Sequence, residues 1–214
     1  MYLIKTPFWL RAIYSNCTWK IPTKEKVIYL TFDDGPHPEA TPFVLETLQK
    51  YNAQATFFCI GNNVLKHSNI YESILQAGHA VGNHTYDHLN GWETETSLYI
   101  DNIKDAATLI DSPLFRPPYG RITKRQIKTL KQSNSLPNQI IMWDVLSGDF
   151  DTHLTGATCA RNVIQNTVPG SIIVFHDSQK AWDRMSIALP LVLEYFSKLG
   201  YRFDLISKVK SPQV

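Results

Sequence analysis

The chain has 214 residues, of which 43% are hydrophobic and 19% charged, a composition typical of a folded globular domain and not of a disordered or repetitive protein. Its 21 basic and 19 acidic residues leave a formal net charge of +2, which argues against a strongly basic nucleic-acid-binding protein. The three scattered cysteines show no metal-binding spacing and no disulfide framework, so they favour a reducing compartment.

Residues 1–22 form an apolar, aromatic segment that we predict to be an extension packing on the main fold. Lys5, Pro7 and Arg11 divide it into apolar pieces shorter than the roughly 7–15 residues of a signal-peptide core. No stretch of the chain approaches the roughly 20 apolar residues of a transmembrane helix. We therefore expect a cytoplasmic protein without an integral membrane segment, with peripheral membrane contact as the alternative.

From residue 23 to residue 210, short apolar strands alternate with amphipathic helices. The predicted strands are 27–32, 55–60, 80–83, the stretch around Phe115, 140–145, 172–175 and 202–206. The predicted helices are 39–51, 68–76, 93–110, 123–132, 155–167 and 186–199. Strand–helix units of this length predict a single α/β domain whose largely parallel sheet of about seven strands closes, or nearly closes, as a barrel.

Chemically reactive side chains follow the ends of the predicted strands, where parallel α/β folds gather their chemistry. Asp33 and Asp34 follow a buried strand, and adjacent buried carboxylates are costly without a cation. We assign Asp34 to a metal and Asp33 to the general base, because neighbours on a strand face opposite ways. The reverse assignment and a surface Asp-Asp-Gly-Pro turn are the alternatives.

Two histidines, His84 and His88, are spaced four residues apart, so on a helical turn both imidazoles would face one ion. With Asp34 they would form a His/His/carboxylate set that leaves positions open for water and substrate, as catalytic zinc sites do. Co, Ni and Mn also fit such a set. Solvated or core histidines are the alternative interpretation.

Two further charged pairs are expected at the same edge of the sheet. Arg116 lies in a loop that two prolines hold extended, so it can be aimed at Asp33, and the backbone N–H of Tyr119 could face an oxyanion. His176 ends a buried strand and can protonate a leaving amine near neutral pH, with Asp149 as its partner. The alternatives are a stiff turn with a surface arginine, and a structural histidine.

Taken in order, these motifs resemble the polysaccharide deacetylase family, also called the NodB-homology domain or carbohydrate esterase family 4. The resemblance covers residues 27–206 and includes Thr-Phe-Asp-Asp-Gly-Pro at 31–36, His-Thr-Tyr-Asp-His at 84–88 and Arg-Pro-Pro-Tyr-Gly at 116–120. The fourth motif, Asp-Ser-x-Asp-Trp, reads Leu-Ser-Gly-Asp-Phe at 146–150. In the fifth, Val174 replaces the leucine that usually lines the acetyl-methyl pocket.

The resemblance implies a deformed (β/α) barrel and metal-dependent removal of acetyl groups from N-acetylated sugars, mostly N-acetylglucosamine polymers. It implies these roles: Asp33 as base, Asp34, His84 and His88 as metal ligands, His176 as acid, Arg116 orienting Asp33, Asp149 tuning His176, and substrate contacts at Pro117, Tyr119, Phe150 and Val174.

We therefore expect a monomeric divalent-metal hydrolase, with zinc the first choice, that acts on carbon–nitrogen bonds other than peptide bonds in an N-acetylated glycan. Nucleic acid is not an expected partner. Another amide hydrolase on the same scaffold, such as an aminosugar deformylase, is the first alternative. A non-catalytic sugar-binding module with a decayed site is the alternative from a different class.

Overall fold

A computed structural model describes residues 2–206 of the chain. Its strands are β1 Val27–Asp33, β2 Ala55–Cys59, β3 Ala80–Asn83, β4 Leu114–Phe115, β5 Gln139–Ile140, β6 Val145–Leu146, β7 Ile172–His176 and β8 Arg202–Phe203. Its α-helices are α1 Phe8–Ile13, α2 Ala40–Lys50, α3 Gly61–Lys66, α4 Ser68–Gln76, α5 Thr96–Ala107, α6 Lys124–Gln132, α7 Gly156–Asn166 and α8 Trp182–Lys198.

The strands form one parallel sheet in the order β5-β4-β3-β2-β1-β7-β6, and β8 pairs with the start of β1. Helices cover its outer face, so the predicted single-domain (β/α) barrel of about seven parallel strands is confirmed. Within residues 2–206, no helix has the length and apolar composition needed to cross a membrane.

The alternation of side chains along the strands separates the two faces of the sheet. Outward-facing residues such as Leu30 and Phe32 of β1 belong to the large core beneath the helices. The smaller cluster on the inner face is made of Phe58, Leu114, Ile141, Ile172 and Ile206. This inner cluster fills the interior of the barrel with apolar side chains. Polar groups at the carboxyl ends of the strands therefore lie directly above an apolar core.

The N-terminal segment runs along the gap between the two ends of the sheet. Lys5 makes an antiparallel bridge to Val145 of β6, and Thr18 makes a parallel bridge to Ile141, next to β5. Asp144, which is fully buried, binds both Lys5, at 2.7 Å, and Arg11. These contacts attach the segment to the barrel, while the domain boundary at residue 22 stays a prediction.

The predicted strand at 140–145 is wrong, because the structure has two short strands there, β5 and β6. The carbonyls of Ile141 and Met142 accept hydrogen bonds from the Arg116 side chain, and that of Trp143 accepts one from Thr6. These long-range partners take the carbonyls out of the strand ladder. Helix α3 was not predicted either, since its six residues are too few to show an apolar period.

Helix α5 begins later than its predicted start at residue 93. The Glu95 side chain accepts hydrogen bonds from the backbone N–H groups of Ser97 and Leu98, which caps the helix at Thr96. Helix α8 begins at Trp182, four residues before the predicted start at Ser186.

Gly82 of β3 allows a close approach that any larger residue would prevent. A Cβ atom at this position would lie 2.5 Å from two ring carbons of buried Phe58, and the Arg116 guanidinium lies over the same ring, 4.1 Å from its centre. We expect Gly82→Ala to lower the free energy of unfolding by about 1–3 kcal/mol, the usual cost of overpacking, as measured by urea denaturation. The cost should shrink in a Phe58→Leu background, and an equal cost there would contradict this explanation.

Candidate active site

Asp34, His84 and His88 form a compact cluster at the carboxyl ends of β1 and β3. One ligand atom from each residue lies within 4.8 Å of the others. Asp34 Oδ1 is 3.2 Å from His88 Nε2 and 3.7 Å from His84 Nε2. Two imidazole nitrogens and one carboxylate oxygen, with positions left open, suit zinc or a similar divalent ion.

The proton of His84 is placed so that its Nε2 atom can act as a ligand. Its Nδ1 atom lies 2.7 Å from the carbonyl oxygen of Arg116, and because a carbonyl can only accept, Nδ1 carries the proton. Burial, with a smaller effect of the nearby His88, outweighs the opposing charge of Asp33 and lowers the pKa of His84 to about 4. The imidazole is therefore neutral at pH 7, the form that binds metals.

The helical turn predicted for His84 and His88 is wrong, although the two imidazoles do converge. Thr85 and His88 have φ values of 63° and 59°, in the left-handed region, so residues 84–88 form a loop. Asn102 of α5 fixes this loop by accepting hydrogen bonds at Oδ1 from the backbone N–H groups of Tyr86 and Asp87. Asn102 was missed from the sequence, where its only signal is a polar residue on the buried face of a helix.

Asp34 and Asp33 do face different partners, as expected. The cause is a turn in the backbone at Asp34 and not the alternation of side chains along a strand. Strand β1 ends at Asp33, and Asp34 has a φ of 80°, which turns the chain out of the sheet. The Asn63 side chain donates a 2.7 Å hydrogen bond to the Asp34 carbonyl and holds this turn. Burial favours a raised pKa for Asp34, but the His88 hydrogen bond and the charges of the nearby histidines outweigh it and lower the pKa.

Asp177, which follows His176, supports the same turn from below. It is fully buried, accepts the N–H of Gly35 at 3.1 Å and the hydroxyl of Thr41 at 2.5 Å, and would collide with any Cβ atom at Gly35. Burial raises the pKa of Asp177 to about 8, and the nearby carboxylate of Asp34 adds to the rise. Asp177 thus fixes the backbone at Gly35, the residue that follows the cluster residue Asp34.

Asp33 and Arg116 form a buried ion pair beside the cluster. Arg116 Nη1 lies 2.7 Å from Asp33 Oδ1 and 2.6 Å from the hydroxyl oxygen of Thr31. Its Nε and Nη2 atoms donate to the carbonyls of Ile141 and Met142, at 3.1 and 3.0 Å. Because every nitrogen of the guanidinium is hydrogen-bonded, Arg116 cannot move freely, and its bond to Asp33 fixes the position of that carboxylate.

His176 and Asp149 form the second charged pair. His176 Nδ1 is 2.7 Å from Asp149 Oδ1, and the His176 backbone N–H donates to Asp149 Oδ2 at 2.8 Å. Burial lowers the pKa of His176, but the charge of Asp149 and its hydrogen bond outweigh this and raise it to about 10. Asp33 and His176 are register partners on β1 and β7, so the carboxylate and the imidazole stand side by side at the carboxyl end of the sheet.

The four residues expected to contact substrate surround these groups. Tyr119 is 61% exposed, has a φ of 59° and places its hydroxyl 3.1 Å from His88 Nδ1. The ring of Phe150 lies 5.4 Å from that of His176, centre to centre. Val174 and Pro117 are buried, and Val174 precedes His176 by two residues on the same face of β7.

Tyr2 is a neighbour of the site that sequence reasoning missed. Its ring meets Phe150 edge to face at 4.9 Å, and its hydroxyl donates a 2.6 Å hydrogen bond to Asp151 Oδ2. Tyr2 and Asp151 are separated by 149 positions, so no local pattern could connect them. Tyr2 therefore packs against Phe150 next to the site, and the two rings form an aromatic surface beside His176.

Comparisons with known proteins identify the family of this chain. The family model for polysaccharide deacetylase matches residues 20–135. The chain is 34% identical over 198 residues to the peptidoglycan-N-acetylglucosamine deacetylase of Bacillus cereus (strain ATCC 14579), covering 90% of this chain and 92% of that protein. It is 32% identical over 165 residues to the chitooligosaccharide deacetylase of Azorhizobium caulinodans, covering 74% and 77%.

A solved structure is similar over nearly the whole chain. It is the crystal structure of the Bc1960 peptidoglycan N-acetylglucosamine deacetylase, which superposes with a TM-score of 0.84 at 30% sequence identity. The match covers 94% of this chain and 95% of that one. The likeness therefore extends over nearly the whole fold.

Proposed function

We propose that this chain, which belongs to the polysaccharide deacetylase family, is a metal-dependent hydrolase that removes acetyl groups from N-acetylated sugars. Its relatives support the activity of a sugar deacetylase, and the proposal adds the metal and the roles of the residues. One observation carries the proposal: two ion pairs flank the cluster of Asp34, His84 and His88. In one pair Arg116 binds Asp33, and in the other Asp149 binds His176.

Asp34, His84 and His88 would hold the divalent ion, for which zinc is our first choice. When bound, such an ion supplies a Lewis acid that polarises a carbonyl and makes a water molecule more acidic. The neutral Nε2 atom of His84 fits this assignment. The carboxylate of Asp34, whose pKa is lowered, supplies the anionic ligand.

The remaining charged side chains would move the protons of the hydrolysis. Asp33 Oδ1 is bound to Arg116, so Oδ2 is the atom that accepts a proton from the attacking water. His176 Nδ1 is bound to Asp149, so Nε2 is the atom that donates a proton to the leaving amine. The backbone N–H of Tyr119 would stabilise the oxyanion.

The substrate is proposed to be a glycan containing N-acetylglucosamine-type units. The relatives are named for deacetylating peptidoglycan N-acetylglucosamine and chitooligosaccharide. Val174 and Phe150 would border the acetyl group, with Pro117 beside them. The monomeric state and the cytoplasmic location stay predictions.

The test combines metal analysis with a screen for released acetate. We expect about one divalent ion per chain, release of acetate from N-acetylglucosamine oligomers, and loss of that activity after chelation with recovery on adding Zn²⁺. Formate in place of acetate, from N-formylated sugars, would favour the deformylase. Bound metal and bound glycan without hydrolysis would favour the non-catalytic module.

A further inference from the structure

A strip of exposed side chains leads from the cluster to an indole to which no role has been assigned. The ring of Tyr119 is 4.6 Å from that of His88, and Arg121, two residues later, lies over the ring of Trp92, its Cζ atom 5.3 Å from the ring centre. Trp92 is 58% exposed. Because it follows His88 by four residues, their Cα atoms are at most about 14 Å apart.

The loop that carries Trp92 is fixed to the loop that carries Tyr119. Gly91 approaches the second loop so closely that a Cβ atom there would lie 2.4 Å from the Arg121 carbonyl oxygen. The side chain of buried Gln126 donates to the Gly91 carbonyl at 2.9 Å, and the Trp92 Nε1–H donates to the Ile122 carbonyl at 3.2 Å. The indole is thus held in place before any ligand arrives.

Much of this indole is exposed to solvent. The Arg121 guanidinium covers one face and lies 3.4 Å from Glu93 Oε1, and the Nε1 edge is hydrogen-bonded. Since one face and one edge contact protein groups, the other face and the outer rim can contribute most of the exposed fraction of 58%. Single exposed hydrophobic residues are normal on protein surfaces, but this one is held in place by hydrogen bonds and lies four residues after His88.

The chemistry of this surface matches a pyranose ring, which has an apolar C–H face and a polar rim of hydroxyl groups. The exposed part of the indole can pack against the apolar C–H face of the sugar, and the Arg121–Glu93 pair can bind its hydroxyl groups. We propose that Trp92 stacks against a sugar unit of the glycan that lies beyond the direct neighbour of the sugar that reacts. This inference rests on the proposed function, and it makes the protein selective for chains over short oligosaccharides.

The kinetic test compares the dimer and the pentamer of N-acetylglucosamine as substrates of the zinc-loaded protein. We expect Trp92→Ala to raise KM for the pentamer and lower kcat/KM roughly 5–30-fold, with kcat and the values for the dimer nearly unchanged. Trp92→Phe, which keeps an aromatic face, should recover most of the loss. The matched control is Trp9→Ala, which removes an indole of similar exposure, 51%, from α1 and should change neither substrate.

A binding measurement separates this inference from the proposed function. Calorimetry with Asp33→Asn protein should show tighter binding of the pentamer than of the dimer, and Trp92→Ala should abolish the difference. If this holds while the wild-type protein releases no acetate, Trp92 binds glycan and the proposed function is wrong. Equal losses for dimer and pentamer, or no preference for the pentamer in the wild type, would overturn the inference.

Discussion

Asp33→Asn is expected to lower kcat for acetate release by roughly 10²–10⁴-fold while the protein keeps its full complement of metal. An amide cannot accept a proton from water, and Asp33 lies outside the cluster of metal-ligand atoms. Asn keeps an oxygen that can accept the Arg116 hydrogen bond, so the buried guanidinium retains a partner, although not an anionic one. The measurements are kcat with saturating substrate and elemental analysis of the purified variant.

The neighbouring aspartate provides the matched control. Asp34→Asn removes a charged ligand and should lose metal and activity together, as should His88→Ala. Thermal unfolding of each metal-free variant shows whether the fold survives. If Asp33→Asn loses its metal and Asp34→Asn retains it, the two aspartates have exchanged roles. Full metal occupancy in His88→Ala would contradict the three-residue ligand set.

The long, apolar strands could be predicted from the sequence because their signal is local. Strand β3 has the predicted bounds, and β1, β2 and β7 differ from prediction by one residue at one end. The stretch at 140–145 could not be predicted, since its carbonyls bind Arg116 and the N-terminal segment instead of a strand. An apolar pattern records neither a partner 25 positions away, as Arg116 is from Ile141, nor one 137 positions away, as Thr6 is from Trp143.

The candidate site shows the same division between local and distant causes. Because the carboxyl ends of parallel strands meet at one edge of the sheet, it was enough to know that Asp33, Arg116 and His176 each lie at the end of a predicted strand to expect them close together. The conformation that makes His84 and His88 converge depends on Thr85 in the left-handed region and on Asn102 from another element. Such a loop depends on tertiary hydrogen bonds, which spacing alone does not reveal.

The two charged pairs also differ in what they can do for catalysis. Arg116 is fully buried, and three carbonyl or hydroxyl oxygens in addition to Asp33 hold it, so it orients the Asp33 carboxylate in one position. Asp149 instead binds both the ring and the backbone of His176, which fixes the imidazole and favours its charged form. In the proposed mechanism, a carboxylate fixed in position beside an imidazole that favours its charged form suits hydrolysis of an amide, where water loses a proton and the amine gains one.

The second large effect concerns His176 and pH. If protonated His176 is the acid, kcat should fall on the alkaline side as pH rises through its pKa, which Asp149 raises from 6.5 to about 10. A cation at the cluster would oppose Asp149, so we expect this fall between pH 6.5 and 10. Asp149→Asn removes the charge that favours the imidazolium, so the pKa should drop and the alkaline fall should move to lower pH.

Replacing His176 itself gives the larger loss. His176→Ala should cut kcat by roughly 10²–10⁴-fold and remove the alkaline fall, because no group then loses a required proton. Metal content should remain at the wild-type level in both variants, which separates an acid from a ligand. An unchanged profile in Asp149→Asn, together with a nearly active His176→Ala, would move the acid role to another group. Buried Asp177, whose pKa burial raises to about 8, would then be tested next, because it stays protonated well above the usual range of a carboxyl group.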